Sequence, residues 1–388
     1  MVTTYNFPTQ IRFGEGAVRQ LPDVLKAAGV KRPLIVTDKG VSSLPWFNDL
    51  PSSLAQNFDV DVFADIWGNP VTAHVTAGAI AARTHKADAI VAVGGGAPVD
   101  VAKVIALMQH HPGHLFDYED GKPDGRPVDG VMPYIVAIPT TAGTGSEVGR
   151  SSVISDNETH AKKIIFSPRL LPSVVLADPV LTMGLPAGIT AATGFDALTH
   201  LLEAYLARGT HPMCDGIALE GLRLVARSLA NAVKFAQDSG TGSYAAHLDA
   251  RADMLNASMM GAVAFQKGLG VNHSCAHALS TVCDMHHGLA NAVMLETCMR
   301  FNAEAMPHRF IEIAQAVGVG DSVDSFFAWI DELRTQAGLP AGLSGFDIGL
   351  NRLDELVEVA LHDGCHPSNP IDVARDDFIK LFREAFQK

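Results

Sequence analysis

The sequence has few cysteines, and their spacing excludes the usual cysteine-based sites. Only five occur in 388 residues, and no two have the Cys-x-x-Cys spacing. They are Cys214, Cys275, Cys283, Cys298 and Cys365. An odd number of cysteines without that spacing indicates neither a disulfide scaffold nor a zinc ribbon. We therefore expect a reducing compartment and predict a cytoplasmic protein.

Positive charge and long apolar runs are also scarce. The chain has 29 Lys and Arg against 42 Asp and Glu, and the formal net charge of -13 has the wrong sign for a nucleic-acid or anionic-lipid binder. No apolar run reaches the roughly 18 residues that a membrane-spanning helix needs. The N-terminal segment Met1–Gly16 has no basic region followed by an apolar core, so no signal peptide is predicted. We expect neither nucleic acid nor a membrane as a partner.

The first half of the chain has the pattern of an α/β protein. Its apolar runs are Leu34–Thr37, Asp61–Phe63, Ala89–Val93, Tyr134–Ile138 and Val174–Leu176. Several are continuous rather than alternating, which is typical of strands that are covered on both faces. The stretches Thr72–His85 and Val99–Met108 lie between them and indicate helices. We predict a Rossmann-like, mainly parallel sheet, with Ser151–Ser155 and Lys163–Phe166 as an antiparallel excursion.

The second half reads as helical. Its long Ala- and Leu-rich periodic stretches lack β-branched runs and comprise Ala187–Ala207, Asp215–Ala236, Ala245–Phe265 and Ser322–Ala337. The change falls near Pro186, which can serve as an early residue of a helix. We therefore predict an α/β dinucleotide-binding domain over residues 1–185 and an all-α metal-binding and catalytic domain over residues 186–388.

Two glycine-containing loops follow predicted strands and are candidates for nucleotide binding. Gly94–Gly96 opens a helical stretch, where free backbone N–H groups can bind a pyrophosphate, although a plain tight turn explains the glycines equally well. Pro139–Glu147 follows another strand and is rich in hydroxyl groups and glycine. Since ligands of open α/β sheets bind beyond the carboxyl ends of strands, both loops can border one crevice. Asp38 follows a strand and either accepts from a ribose, which favours NAD over NADP, or caps a helix.

Histidine is abundant, and part of it has the spacing of a metal site. Of the 16 histidines, His200 lies four residues after Asp196, so both side chains share one helix face. That pair alone is more often a solvated or salt-bridged face. Four more histidines fall within fifteen residues of an otherwise apolar region, namely His273, His277, His286 and His287. A buried histidine needs a partner for each ring nitrogen, and a metal together with a hydrogen-bond acceptor supplies both. We therefore predict a metal site here in preference to a hydrogen-bonded core cluster.

With these residues assembled, the chain resembles the iron-containing, group III alcohol dehydrogenases nearly from end to end. The most specific patterns are TG-x-DA-x-x-H over Thr193–His200 and H-x-x-x-H-x9-HG over His273–Gly288. The resemblance also includes Phe13–Ala17, Gly94–Gly96, Thr140–Glu147, His287–Ala292 and Asn369–Pro370, of which the glycine loop Gly94–Gly96 is much less specific. The resemblance implies that Asp196, His200, His273 and His287 are the metal ligands. It also implies that His277 lies near the substrate and acts in proton transfer or substrate orientation.

The resemblance further implies which residues contact the cofactor NAD. They are Asp38, Asn69, Gly95, Gly96, Asp100, Thr140, Thr141, Thr144 and Lys162. Lys163 is an alternative to Lys162 because the two are adjacent. The chain differs from the family at Ala97, where serine is usual. This change removes one possible hydroxyl contact with phosphate, but the backbone N–H groups of the loop can still bind it.

These residues predict a metal-dependent, NAD(H)-linked dehydrogenase of small primary alcohols, or a reductase of the aldehydes. A divalent ion held by one carboxylate and three imidazoles is a Lewis acid for the substrate oxygen. The resemblance implies Fe2+, whereas affinity ordering also allows Zn2+. We expect a homo-oligomer, a dimer or larger.

Two alternatives remain open at this stage. An ω-hydroxy acid dehydrogenase of the 4-hydroxybutyrate type is suggested by Phe265–Gly270, by the His286-His287 doublet and by Arg150, which can pair with a carboxylate. From a different class, a non-catalytic protein that binds metal and nucleotide would show the same motifs.

Overall fold

The computed structural model describes residue 7 and residues 9–158, 161–238 and 240–388. These residues fall into two compact units, which we call the α/β unit and the helical unit. The α/β unit contains Phe7–Thr141 and Gly145–Thr182, and the helical unit contains Ala142–Thr144 and Met183–Lys388. The domain boundary between residues 185 and 186, and the roles of the two domains, stay predictions.

The α/β unit contains eight strands and five α-helices among the described residues. The strands are β1 (Gln10–Phe13), β2 (Pro33–Val36), β3 (Asp61–Phe63), β4 (Ala89–Gly94), β5 (Tyr134–Pro139), β6 (Ser151–Ser155), β7 (Lys162–Phe166) and β8 (Val174–Ala177). The helices are α1 (Leu21–Ala27), α2 (Lys39–Ser42), α3 (Asp49–Leu54), α4 (Thr72–His85) and α5 (Gly96–His110).

The strands form one parallel sheet and a separate hairpin. Six strands pair in the order β1-β8-β5-β4-β2-β3, all parallel, and β6 pairs with β7 in antiparallel register. The prediction of a mainly parallel sheet with an antiparallel excursion is confirmed. β1 was not predicted from the sequence, and it lies at the edge of the sheet beside β8.

The sheet is buried on both faces, which explains the continuous apolar runs. On one face Ile35, Val91 and Val136 pack with residues of α1 and α3. On the other face Leu34 and Ile90 pack with residues of α4 and α5. Because successive side chains of a strand point to opposite faces, a strand covered on both sides must be apolar at every position.

The helical unit contains nine α-helices among the described residues. They are α6 (Ala187–Leu206), α7 (Pro212–Gln237), α8 (Tyr244–Ala264), α9 (Val271–Cys283), α10 (His287–Ala305), α11 (Pro307–Val317), α12 (Val323–Gln336), α13 (Leu353–Leu361) and α14 (Arg375–Gln387). The prediction of an all-α second half is confirmed.

α6 is the central helix of this unit. It packs against α7, α8 and α10, and nearly every residue from Thr190 to Leu206 is buried. Polar side chains on such a helix must find partners inside the protein. Among the described residues, no helix combines the length and the apolar character that crossing a bilayer requires.

Candidate metal centre and nucleotide-binding loops

The four side chains for which the resemblance implies metal binding lie together in the helical unit. Asp196 and His200 share one face of α6, His273 lies in the first turn of α9, and His287 is the first residue of α10. Measured to Oδ1 of Asp196, the Nε2 atoms of His287, His273 and His200 lie 3.3, 3.9 and 4.0 Å away. One ligand atom from each residue lies within 4.8 Å of the others.

This donor set fits one divalent ion. A tetrahedral ion with bonds of about 2.1 Å holds its ligand atoms about 3.4 Å apart, close to the spacing of the four side chains. One carboxylate and three imidazoles are ligands that both iron and zinc accept. Asp196, His200 and His273 are buried and His287 is half-buried, so the site has a closed side and a more open one.

Gly288 allows His287 to reach this cluster. A Cβ at Gly288 would lie 2.3 Å from the backbone oxygen of Ala192 on α6, a distance that no side chain tolerates. The start of α10 therefore approaches the backbone of α6 only because residue 288 is glycine. This close approach brings His287 beside Asp196 and gives a physical reason for the glycine in the His-Gly pair.

The electrostatics of the cluster favour metal binding near neutral pH. Burial lowers the pKa of His200 to about 4, an effect that Asp196 only partly offsets. Burial by itself would raise the pKa of Asp196, but the nearby His200 and His287 bring it well below its ordinary value. At neutral pH His200 therefore has a free lone pair and Asp196 carries a negative charge, as metal ligands require.

Two further buried residues contact the cluster and were missed from the sequence. Glu203 accepts from Nδ1 of His273 at 2.6 Å, and Asn291 donates from Nδ2 to Oδ1 of Asp196 at 2.7 Å. Each has a helical spacing that could have revealed it, because Glu203 is three residues after His200 and Asn291 four after His287. A carboxylate and an amide at these spacings are also common on solvated helix faces, so the signal is weak.

His277 lies beside the cluster but outside the set of four. Its ring stacks on that of His287 with centroids 5.2 Å apart, and its Nδ1 is 2.7 Å from Oδ2 of Asp363. His277, Asp363 and Cys365 bring possible metal ligands together as a second group. Burial raises the pKa of the Cys365 thiol well above its ordinary value, and Asp363 adds to the effect, so the thiolate that a metal needs is disfavoured. His286, next to His287, is exposed.

In the α/β unit, several of the predicted cofactor residues meet at the carboxyl ends of β2, β4 and β5. Gly94 has a φ of 149°, which strongly favours glycine, and a Cβ there would lie 3.3 Å from Oδ2 of Asp38. A Cβ at Gly95 would lie 3.0 Å from Oγ1 of Thr141. Thr140 is buried, and its N–H donates to the Gly94 carbonyl oxygen. Parallel sheets bind ligands at this edge.

Asp38 caps a helix, which is one of the two roles that the sequence suggests for it. Its Oδ1 accepts from the backbone N–H of Val41 at 2.7 Å at the start of α2. The other carboxylate oxygen, Oδ2, faces Gly94. The two interpretations of Asp38 are compatible, because one oxygen serves the helix and the other remains for a ligand.

Asp100 contacts the protein with both carboxylate oxygens. Its Oδ1 accepts from Oγ of Ser146 at 2.5 Å and its Oδ2 from the backbone N–H of Val153 at 3.0 Å. The fully buried Lys103 donates from Nζ to Oγ of Ser146 at 2.9 Å and to the Ser151 carbonyl oxygen at 2.9 Å. Asp100 and Lys103 of α5 therefore fix the end of the Pro139–Glu147 loop.

The remaining predicted cofactor residues occupy separate positions. Gly96 is the first residue of α5, and Asn69 lies between β3 and α4. Lys162 lies on β7 opposite Ser155. Thr144 belongs to the short segment that clusters with the helical unit, where a Cβ at Gly143 would lie 3.3 Å from Oδ2 of Asp196.

Two family models match consecutive parts of the chain. The model for iron-containing alcohol dehydrogenase matches residues 8–179. The model for the C-terminal part of the Fe-containing alcohol dehydrogenase family matches residues 190–386.

Individual proteins are similar over the same length. The chain is 37% identical to a 4-hydroxybutyrate dehydrogenase of Cupriavidus necator, over 97% of this chain and 98% of the relative. Among solved structures, a 1,3-propanediol oxidoreductase superposes with a TM-score of 0.92 at 35% identity, with full coverage of both chains. A sulfoacetaldehyde reductase from Bifidobacterium kashiwanohense, solved in complex with NAD+, superposes with a TM-score of 0.89 at 29% identity and also covers both chains fully.

Proposed function

Because the chain belongs to the iron-containing alcohol dehydrogenase family, whose members are oxidoreductases, we propose that it interconverts small primary alcohols and aldehydes with NAD(H) and a bound divalent metal. The observation that carries the proposal is the convergence of Asp196, His200, His273 and His287 within 4.8 Å. We assign the metal to these four side chains. In this proposal residues 186–388 hold the metal and residues 1–185 bind the dinucleotide.

Iron(II) is the metal we propose, with zinc as the alternative that the same donor set accepts. When bound, the ion supplies a Lewis acid for the alcohol or aldehyde oxygen. The protein's own part is to hold Asp196 ionised and His200 neutral, as their shifted pKa values favour.

NAD is the cofactor we propose, and the solved relative in complex with NAD+ supports it. The free N–H groups at the start of α5 and the hydroxyl groups of Thr140 and Thr141 suit the pyrophosphate. Oδ2 of Asp38 suits a ribose hydroxyl and repels a 2′-phosphate. Asp100 we assign to fixing the loop through Ser146 rather than to direct contact with the cofactor.

A proton must leave the alcohol when it is oxidised, and His277 is our candidate to hold it. Asp363 occupies Nδ1 of His277. Nε2 is then the ring atom that remains to take or return a proton at the substrate. We propose this role on the contact with Asp363 and on the stacking of His277 with His287.

A second substrate class, ω-hydroxy acids, is favoured by one specific observation. The guanidinium carbon of Arg150 lies 5.3 Å from the centroid of the Phe166 ring, and no ion pair joins Arg150 to a carboxylate within the described part of the chain. Arg150 is thus available to bind a substrate carboxylate, and the 4-hydroxybutyrate dehydrogenase relative is consistent with this. The non-catalytic alternative has no support among the three relatives, which are named as a dehydrogenase, an oxidoreductase and a reductase.

A substrate screen with metal analysis of the same sample tests the proposal. Protein purified without oxygen is loaded with Fe2+ or Zn2+, and NADH absorbance is followed with butanol, 1,3-propanediol and 4-hydroxybutyrate, and in reverse with the aldehydes. We expect turnover that scales with metal content. Metal-loaded protein that neither forms nor consumes NADH with any compound would overturn the proposal.

The Arg150→Ala variant separates the two substrate classes within one protein. If the substrate carboxylate binds Arg150, the KM for 4-hydroxybutyrate rises and the KM for butanol does not. An equal change for both substrates would remove Arg150 from substrate recognition.

We also infer a cytoplasmic homo-oligomer, a dimer or larger. All five cysteines are free thiols, which suits a reducing compartment. Among the residues that the structure describes, β1 is an edge strand beside β8, and a second copy of the chain can pair with such an edge. Light scattering in solution measures the mass, and a monomer would contradict this part of the proposal.

A further inference from the structure

Glu203 connects the central helix α6 to the start of α9. It is fully buried on α6, and its Oε1 accepts from the backbone N–H of Asn272 at 2.7 Å. Its Oε2 accepts from the backbone N–H groups of Gly270 at 3.0 Å and His273 at 3.3 Å. The same Oε2 lies 2.6 Å from Nδ1 of the His273 ring. One carboxylate thus holds both the backbone and the side chain of His273.

This contact determines which ring nitrogen of His273 carries hydrogen. Both oxygens of Glu203 already accept from backbone N–H groups, so the side chain is an acceptor toward the ring as well and Nδ1 of His273 is the donor. In the neutral ring Nε2 then has the lone pair, and it lies 3.9 Å from Oδ1 of Asp196.

A neighbouring amide agrees with this assignment. Asn272 donates from Nδ2 to Oδ1 of Asn291 at 2.9 Å, which fixes the orientation of the Asn291 amide. The Nδ2 atom of Asn291 therefore points toward the cluster and lies 3.4 Å from Nε2 of His273. A donor at this position suits an acceptor nitrogen and opposes an Nε2–H.

We propose that Glu203 is a positioning residue that fixes His273 in the Nδ1–H form and so presents Nε2 to the metal. The proposal rests on the metal site assigned above. Carboxylates that accept from the second nitrogen of a ligand histidine set its tautomer, hold its ring and make it more basic. Glu203 does all of this from the same helix that carries Asp196 and His200, so three contributions to the site come from one rigid element.

The competing interpretation is that Glu203 only caps the N-terminus of α9. Its three backbone acceptor contacts support that role too, and a cap contributes to stability regardless of any metal. The two roles differ in one measurable respect. A cap affects the free energy of unfolding, whereas a positioning residue also affects the affinity of the folded protein for the metal.

Asn369 provides a matched control at the same helix end. Its Oδ1 accepts from the backbone N–H of Val271 at 3.1 Å and from Nδ2 of Asn302 at 3.1 Å. It is buried, as Glu203 is, and no hydrogen bond joins it to the His273 ring among the described residues. Asn369→Ala therefore weakens the start of α9 without removing the partner of His273.

The experiment compares Glu203→Gln and Asn369→Ala with the wild type, using Co2+ as the metal. Glutamine keeps the size of the side chain, but its NH2 group is a donor that faces a backbone N–H. Its neutral amide oxygen is also a weaker acceptor for Nδ1–H than a carboxylate oxygen. We expect Glu203→Gln to bind Co2+ about 10- to 100-fold more weakly and to change the visible spectrum of the bound ion. We expect Asn369→Ala to lower the melting temperature while keeping the Co2+ affinity within about threefold of wild type.

The outcomes separate the proposal from the metal site on which it rests. If the wild type binds Co2+ tightly and Glu203→Gln binds it equally well with the same spectrum, the role of Glu203 in positioning is overturned and the metal site stands. If the wild type does not bind Co2+, or His273→Ala binds it as well as wild type does, both are overturned.

A measurement on the wild-type protein keeps the proposal testable if Glu203→Gln does not fold. Long-range proton–nitrogen NMR correlation of histidine-labelled, metal-free protein identifies the tautomer of each ring, and the signals missing from His273→Ala belong to His273. At a pH at which the His273 ring is neutral, the Nδ1–H form is expected, and an Nε2–H form would overturn the proposal.

Discussion

The Nδ1 atom of His277 lies 2.7 Å from Oδ2 of Asp363, which follows it by 86 residues. Oδ1 of the same carboxylate accepts from Oγ of Ser274 at 2.7 Å and from the backbone N–H of Cys365 at 2.9 Å. Burial by itself would raise the pKa of Asp363, but His277 and the other donors bring it below its ordinary value. Asp363 therefore stays ionised and fixes the ring of His277 by its Nδ1 side.

Replacing either partner of this pair should slow turnover without removing the metal. His277→Ala removes the proposed proton carrier, and general acid–base groups contribute about 100- to 10,000-fold to a rate. Asp363→Asn can still accept from Ser274, but its amide then faces Nδ1 of His277 and disfavours the Nδ1–H form. We expect a smaller fall in kcat for Asp363→Asn than for His277→Ala, and full metal content in both.

Steady-state kinetics with metal analysis of each sample checks this prediction. His362→Ala is the matched control, because His362 is an exposed histidine adjacent to Asp363 and should leave kcat unchanged. Wild-type kcat in His277→Ala would remove His277 from the reaction. Loss of metal from His277→Ala would instead make it part of the metal site.

The sheet could be predicted where local pattern and burial agree. Ala89–Val93 is apolar at every position because β4 is covered on both faces, and the predicted helix Thr72–His85 coincides with α4. β1 was missed because Gln10–Phe13 is a short edge strand with two polar residues, stabilised by pairing with β8 more than 160 residues later. No local signal in Gln10–Phe13 reports a partner at that distance.

The candidate metal site could be predicted only in part from the spacing of residues. Spacing of four residues relates Asp196 to His200, but nothing in the sequence places α6 against α9 and α10. The family resemblance implied the four metal ligands, and the structure adds the residues that hydrogen-bond to them. Glu203 and Asn291 could not be recognised because their roles depend on facing α9 and Asp196 across tertiary contacts. A carboxylate on a helix becomes a histidine's partner only once the fold is known.

His273→Ala should abolish metal retention and activity together. It removes one of four ligand atoms and leaves Glu203 without its ring partner in a buried position. We expect most of the bound metal to be lost on dialysis, and kcat to fall in proportion to the metal lost. Elemental analysis and turnover of the same samples measure this. His286→Ala, the exposed neighbour of His287, is the control and should retain its metal. Full metal stoichiometry in His273→Ala would exclude it from the ligand set.

Neutralising Asp38 should relax the preference for NAD over NADP. Like charges about 4 Å apart repel by about 4 kcal/mol at an effective dielectric constant of 20, so even a partial effect gives about tenfold or more in the ratio of kcat/KM for NADP to that for NAD. Asp38→Gly also removes the cap of α2, whereas Asp38→Asn keeps an oxygen for the Val41 N–H and isolates the charge. Both should shift the ratio in the same direction.

The control for this prediction is a neighbouring carboxylate. Asp65 is exposed and pairs with Lys39 at 3.0 Å. If Asp65→Asn shifts the NADP-to-NAD ratio of kcat/KM as much as Asp38→Asn does, the cofactor preference depends on the total negative charge nearby and not on Asp38 in particular. Unchanged NADP kinetics in both Asp38 variants would contradict the repulsion by the carboxylate.

Glu147, at the end of the Pro139–Glu147 loop, should make stability depend on pH. It is buried, and burial raises its pKa from the ordinary 4.5 to about 7, although its own backbone N–H and Lys103 oppose the shift. Between these two values the folded protein binds a proton that the unfolded chain does not, so stability falls as pH rises through the window. Glu147→Gln is neutral throughout and should gain stability over wild type from about pH 5 to about pH 7.5, by at most about 3 kcal/mol. Urea unfolding of metal-free protein at both pH values measures the difference. The exposed Glu158→Gln serves as the control, and a Glu147→Gln advantage that is the same at both pH values would show that Glu147 is ionised throughout.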